Sequence, residues 1–257
     1  MKKWIACLLA LCLALSMVAC QGAKDETWED QLGTSGKLRV GISPDYAPYE
    51  SYDGAGNIVG FDPEMADYLA SYLGVTLEFV PMDFETIISA IGLGTIDVGI
   101  SCFSYKEDRA GSVLFSDTYL HSAQAFFAST QYGITDLEDC NGQVVGAPIG
   151  TTGMDCATEL AKQYGFSEVR GGQVPVLAEQ LRVGAIAAVC AEQSVCQAYA
   201  KNNPDAFVVL TDAMTNEEIK CIVNLNHAAL LDKINEAIAA FMAEPNYAEL
   251  VVAWFDS

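Results

Sequence analysis

Nine cysteines and two histidines are the residues of this 257-residue chain with the widest chemical range, and their spacing limits what they can do. No two cysteines form a C-x-x-C pair, and neither His121 nor His227 has a ligand neighbour at zinc-site spacing, so no metal centre is expected. The chain also lacks a G-x-S-x-G turn and a Ser/His/Asp set. General acid–base work would therefore rest on carboxylates, and no cofactor is called for. Several cysteines lie in apolar runs, as in Val189-Cys190 and Cys221-Ile222-Val223, where a buried thiol is the plain explanation. Spacing alone does not choose a pairing among Cys102, Cys140, Cys156, Cys190, Cys196 and Cys221, and mostly free thiols are expected.

Cys20 stands apart from these. Met1-Lys2-Lys3 is a short cationic lead, and Trp4 to Val18 is apolar apart from Ser16. Such a run is short for a membrane span and suits the core of a signal peptide. It closes on Ser16-Met17-Val18-Ala19-Cys20, which resembles a bacterial lipobox with Met17 in the usual leucine place. Residues 1–19 are thus read as a lipoprotein signal peptide, and Cys20 as the lipidated N-terminus on the extracytoplasmic face of the cell membrane. The alternative is an ordinary signal peptide cut elsewhere. Residues 20–36 are polar and patternless and read as a tether. No later stretch is long and apolar enough to cross a membrane.

Removing residues 1–19 leaves a chain long enough for one large or two medium domains. Of 13 Lys and Arg, Lys2 and Lys3 leave with the signal, so 34 acidic groups face 11 basic ones, a net −23. That balance excludes a nucleic-acid partner, because phosphate contact needs clustered Lys and Arg. It otherwise implies a solvated surface.

The elements that must position any site alternate strand and helix. Lys37–Ile42 reads as a strand, and residues 43–60, with Pro44, Pro48, Gly54, Gly56 and Gly60, as loop and turn. Asp62 is expected to cap a helix with Met65, Tyr68, Leu69, Tyr72 and Leu73 on one face. Residues 75–80 form a second strand, Phe84, Ile87, Ile88 and Ile91 mark a helix, and residues 96–101 form a third strand. The plan then repeats, with strands at 143–147, 186–191 and 207–210, and helices from about 151 to 164 and at 177–183. Leu230, Leu231, Ile234, Ile238 and Phe241 give a last amphipathic helix. IGLGTIDVGIS at 91–101 has a counterpart in LRVGAIAAVCAE at 181–192. Parallel β-α-β units in two similar lobes follow.

Five stretches in order carry a family resemblance: VGISPDYAPYE at 40–50, GFDPEMADYLASYLG at 60–74, IDVGISCFSYKEDRAGSVLFSDTYL at 96–120, VVGAPIGTT at 144–152 and GAIAAVCAEQS at 184–194. From about residue 37 onward the chain resembles the extracellular solute-binding proteins of family 3, which serve polar amino-acid ABC importers. The resemblance implies an α/β, two-lobed type II periplasmic-binding-protein-like fold with two crossing hinge segments, near 127–132 and 213–220. Lobe 1 would combine 37–128 with 218–257, and lobe 2 would span 129–217. It also implies a monomer that binds an L-amino acid in the cleft and hands it to the importer permease.

The family's site carries over residue by residue. Arg109 matches the arginine that grips the ligand carboxylate, as a planar fork suits a planar anion. A surface arginine paired with Glu107 or Asp108 is the alternative. Cys102, Phe103 and Ser104 match the strand end that offers a backbone carbonyl and a hydroxyl; Cys102 departs from the usual small polar residue, which leaves it a backbone role. Thr151 and Thr152 open a helix whose free N–H groups would add to the clamp, or simply cap it. Glu192 stands where the family holds an acid, most often aspartate, for the ligand ammonium. Tyr46 and Phe84 match the walls of the side-chain pocket. Ser43 occupies a position that is often aspartate in relatives taking basic amino acids. A neutral or uncharged polar ligand is therefore expected, although Asp45 lies close enough in sequence to turn inward.

Three rivals share the fold: a dehydratase-like enzyme acting on prephenate-like acids, a ligand-sensing receptor module, and a scaffold with a degenerate pocket. The two histidines, the lack of any signalling segment after Ser257 and the intact Arg109 block weigh against them in turn. For the anchor, Cys20→Ser is expected to shift the protein from the membrane to the soluble fraction, which cell fractionation and immunoblotting read directly. Unchanged membrane association would refute lipidation at Cys20.

Overall fold

The computed structural model describes residues 26–256, so the signal peptide and Cys20 lie outside the described residues. The first strand forms over Lys37–Ile42 (β1), as its alternation requires. Residues 43–60 are more ordered than expected: β2 (Asp45–Tyr46), β3 (Glu50–Tyr52) and β4 (Ile58–Val59) make a small antiparallel sheet. Strands of two or three residues leave no readable alternation. Gly60 then lets the chain pass against its own backbone at φ 143°, where a Cβ would lie 2.1 Å from the Tyr49 carbonyl oxygen.

Helix α1 (Phe61–Leu73) follows and stops at left-handed Gly74. Asp62 does not cap it. The residue lies inside the first turn, fully buried, and its carboxylate turns to the sheet to accept the Cys102 N–H at 2.8 Å and the Tyr119 O–H at 2.9 Å. The chain continues through β5 (Thr76–Pro81), α2 (Phe84–Gly92), β6 (Val98–Ser104), α3 (Glu107–Ala110), β7 (Val113–Phe115) and β8 (Leu120–Ser122).

The second unit holds β9 (Gln124–Ser129), β10 (Val144–Pro148), α4 (Thr152–Tyr164), β11 (Glu168–Gly172), α5 (Val174–Arg182), β12 (Ala188–Glu192), α6 (Gln193–Asn202) and β13 (Phe207–Val209). The chain returns through β14 (Glu217–Asn224) and ends in α7 (Ala228–Met242) and α8 (Tyr247–Phe255). The sheets run β5-β1-β6-β14-β7, with β8 also on β14, and β11-β10-β12-β9-β13. Each has the same plan. A parallel trio (β5-β1-β6, β11-β10-β12) is joined by an antiparallel strand, β14 or β9, that has just crossed from the other sheet.

The first crossing corrects the expected hinge near 127–132, while the second overlaps the expected 213–220. The first falls at Ala123, between β8 and β9, so residues 124–128 belong with the second sheet rather than with lobe 1. The second falls between Val209 and Glu217. Strand β9 is buried throughout and runs into β8 with no turn residue between them, which leaves no compositional mark where the sheet changes. The expected tether is shorter too. Gln31 and Leu32 are buried, and Gln31 Oε1 accepts the Leu230 N–H at 2.8 Å. All six described cysteines are unpaired thiols, and five of them are buried.

Below the parallel trio of lobe 1, one ion pair ties the entry of the chain to the sheet. Buried Asp97 accepts the Gly33 and Arg39 N–H groups at 2.8 Å each, and the Arg39 side chain through Nη2 at 2.7 Å and Nε at 3.1 Å. Removing that carboxylate strands two backbone donors and a half-shielded guanidinium. Asp97→Ala is expected to cost about 3–5 kcal/mol of folding stability, measurable as a lowered midpoint in denaturant unfolding. A loss under about 1 kcal/mol would mean that water replaces the pair.

Candidate ligand-binding cleft

Parallel strands bring their carboxyl ends to one side of a sheet, and here the two sheets set those ends facing each other. Ser43 follows β1, Phe84 follows β5, and Cys102 and Ser104 end β6. From the other side, Thr151 follows β10, Gln173 follows β11 and Glu192 ends β12. All of these residues, with Tyr46 and Arg109, line one cavity of about 250 Å³. Nine of the ten residues expected in the site are thus brought together; Phe103 is not. It is fully buried behind the wall, stacked under Phe84 with ring centroids 4.5 Å apart.

Arg109 lies at the seam. Its Nη1 donates to the Ser104 carbonyl at 2.8 Å and its Nη2 to the Gly150 carbonyl at 2.7 Å, one from each lobe. The faces of Phe84 and Phe103 lie 5.5 and 5.6 Å from its Cζ. Among the described residues it makes no ion pair; the expected surface partner Asp108 pairs with Lys106 instead. Burial lowers the Arg109 pKa, and the fields of Asp108, Asp155 and Glu217 offset part of that, leaving a buried cation.

Cys102 has φ 49°, the left-handed region a side chain rarely adopts. Its N–H is held by Asp62, and the pairing of β14 with β6 shifts register between Lys220 and Ile222, opposite this stretch. Thr151 caps α4, accepting the Met154 N–H at 3.3 Å, while its hydroxyl donates to the Pro148 carbonyl. Thr152 Oγ1 donates to Glu217 Oε2 at 2.7 Å, and the Ser104 hydroxyl donates to that same oxygen. One carboxylate therefore gathers a hydroxyl from each lobe.

Glu192 is buried. Its Oε1 accepts Gln124 Nε2 at 2.5 Å and its Oε2 accepts the Ser122 hydroxyl, while the Tyr46 hydroxyl takes the Glu192 N–H at 2.9 Å. Burial, with the charge of Glu217 added, pushes the Glu192 carboxyl up to about 8, against the pull of its two donors.

Sequence reasoning missed Glu50, Asp83, Glu85 and Ser101 on the wall, and Glu217 behind it. Asp45 does turn inward, its Oδ1 accepting the Ser43 hydroxyl at 3.0 Å. The wall beside Tyr46 and Phe84 thus carries acids that sequence reasoning did not place there, within a lining that remains mainly apolar. Asp83 and Glu85 follow β5, Glu50 opens β3, Ser101 lies within β6 and Glu217 opens β14, so strand-end position could have found only the first two.

The family model for the bacterial extracellular solute-binding proteins, family 3, matches residues 38–257. The chain belongs to that family. Over 99% of its length it is 30% identical to the arginine-binding extracellular protein ArtP of Bacillus subtilis (strain 168), covering 98% of that protein. Among solved structures, an ancestral arginine-binding protein bound to arginine matches with a TM-score of 0.80 at 33% identity, over 86% of this chain and 98% of that one. An ancestral amino acid-binding protein described as a precursor of cyclohexadienyl dehydratase matches with a TM-score of 0.78 at 28% identity, over 86% and 96%. The fold is thus the type II periplasmic-binding fold, and the dehydratase rival has a real neighbour in it.

Glu192 holds a proton more tightly when folded (about 8) than when unfolded (4.5), so the folded state is favoured at low pH and loses this contribution as pH rises through the interval. Glu50 and Asp62 are raised by burial in the same direction. Unfolding midpoints of ligand-free protein between about pH 5 and 8 should fall with pH, and Glu192→Gln should flatten the trend. An unchanged slope in the variant would mean that Glu192 ionises freely in the fold.

Proposed function

We propose that this protein is the lipid-anchored extracytoplasmic receptor of an amino-acid ABC importer, capturing one L-amino acid between its lobes and presenting it to the permease. The carrying observation is Arg109, a buried cation without an anion, held by a carbonyl from each lobe. A ligand carboxylate supplies the missing charge in bidentate geometry. The first-turn N–H groups of α4 add donors at the same end. Glu192 faces the ligand ammonium and gives up its proton as that cation arrives.

Contacts across the cleft favour hinge closure around the ligand. Lys106 Nζ reaches Asp155 at 2.6 Å and Gln173 Nε2 reaches Asp83 at 3.0 Å, besides the Tyr46 bond to the Glu192 N–H. A closed, ligand-filled form differs in shape from an open one, and the importer reads that difference. The named function of the ArtP relative agrees with this reading at the level of an amino-acid ligand.

Calorimetry with a panel of L-amino acids tests it. Arg109→Ala is expected to weaken binding by about 2–5 kcal/mol, since the ligand carboxylate is left buried and unpaired, and Glu192→Gln to weaken it in the same sense. Binding by the Arg109 variant within about twofold of the parent would refute the clamp. Recovery of chemically altered ligand would favour the dehydratase-like enzyme instead. Small-angle scattering should show a smaller radius of gyration with saturating ligand.

A further inference from the structure

Away from the cleft, two thiols meet in lobe 2 where helix α4 packs on strand β12. Alternation along β12 turns Ala188 and Cys190 to one face of the sheet, and Val189 and Ala191 to the other. Gly153, Cys156, Ala157 and Leu160 form the stripe of α4 that covers the Cys190 face. Gly153 lets the helix come close: a Cβ there would lie 3.2 Å from the Cys190 carbonyl oxygen and 2.9 Å from Gln124 Oε1, so a larger residue would hold the helix off the sheet. One turn on, the Cys156 side chain reaches Cys190, and the two thiols share a hydrogen bond.

The other four described thiols each turn to an oxygen. Cys102 meets the Tyr49 hydroxyl and Cys221 the Ser116 hydroxyl. Cys140 Sγ points to the Asp136 carbonyl at 4.0 Å, and Cys196 Sγ donates to the Ala191 carbonyl at 3.6 Å on the opposite face of the sheet. Sulfur faces sulfur only at Cys156 and Cys190 among the described residues. A disulfide needs Cα atoms within about 7 Å of each other, and the approach that Gly153 permits brings helix and strand together at that spot. Cys156 is half-buried and Cys190 fully buried. The Cys190 contact lowers the Cys156 pKa, while burial pushes the Cys190 thiol well above the usual range. The outer thiol therefore ionises and meets solvent first, with the inner one behind it.

We propose that Cys156 and Cys190 are a dithiol site, oxidised by a low-molecular-weight disulfide to a cystine bridge between α4 and β12. The Cys156 thiolate attacks one sulfur of the small disulfide, whose S–S bond breaks, and one half leaves as a thiol. Cys190 then attacks the Cys156 sulfur of the mixed disulfide, and the second half leaves with the Cys190 proton. The protein loses two electrons and two protons, and the small disulfide takes them up as two thiols. A chain exported as proposed above works where such disulfides persist. The bridge lies four residues beyond Thr152 and two before Glu192, so it ties the carboxylate end of the site to the ammonium end within lobe 2.

The test treats the purified, native protein with oxidised glutathione, blocks the remaining thiols with N-ethylmaleimide and maps the peptides by mass spectrometry. A Cys156 peptide linked to a Cys190 peptide is expected as the main intramolecular product. The bridge closes a loop of roughly 35 residues in the unfolded chain, so the oxidised protein should melt several degrees above the reduced one, and dithiothreitol should reverse the gain. Cys156→Ser, at a half-buried position, should fold and show neither the link nor the gain. Absence of this link, linkage of other cysteines in its place, or a link that forms only in denaturant overturns the proposal. Glutathione retained on Cys156 overturns it too, since Cys190 then fails to reach the mixed disulfide. A bridged protein that melts no higher than the reduced form carries a strained bond, which overturns the reading of a site shaped for it.

Discussion

Burying a guanidinium costs several kcal/mol of lost hydration unless polar groups take the place of water, and the geometry at the seam between the lobes follows from how Arg109 meets that cost. Two carbonyls and two aromatic faces solvate it, yet none of the four cancels its charge. Because one carbonyl comes from each lobe, the protein supplies both hydrogen-bond acceptors only when the lobes are together. On the proposed reading a ligand carboxylate entering between them adds the missing charge, which couples closure to anion capture.

That coupling needs the surrounding strand ends held to within a fraction of a hydrogen-bond length. Asp62 does this for lobe 1. From the buried first turn of α1 it pins the Cys102 N–H, fixing a left-handed residue at the end of β6 just before Ser104, whose carbonyl receives Arg109. Glu217 does it for the seam, joining the hydroxyls of Ser104 and Thr152. Both acids act through other residues, and their place in the fold follows from the strands that converge on the cleft.

The parallel trios and the amphipathic helices were legible because each depends on local pattern: alternation, a helical stripe, a turn before a helix; Arg109, Thr151 and Glu192 were placed by the family resemblance. Three kinds of feature were not legible. The sheet change at Ala123 occurs within extended chain that carries no Gly or Pro, so no turn residue marks it. Asp62 reads as a helix cap because capping acids and buried structural acids look alike in sequence, and only the sheet beneath separates them. The acids of the cavity lie far apart along the chain, from Asp45 to Glu85, and nothing local tells a solvated carboxylate from one turned inward.

The charge arrangement also bears on the order of events. Among its lining residues the cavity holds one cation, Arg109, and the carboxylates of Asp45, Glu50, Asp83, Glu85 and Glu192, on a body of net charge −21 counted over the whole chain. Long-range attraction draws cations toward the acidic surface but is screened beyond about 8–10 Å at physiological salt, so it speeds encounter without deciding what stays. Selection falls to contacts inside the cleft, where water is excluded and each unmatched charge costs more. On the proposed reading an amino acid brings its carboxylate to Arg109 and its ammonium to Glu192. A ligand lacking either charge would leave a buried group unpaired, and the same low-polarity surroundings that favour the full match would penalise the partial one.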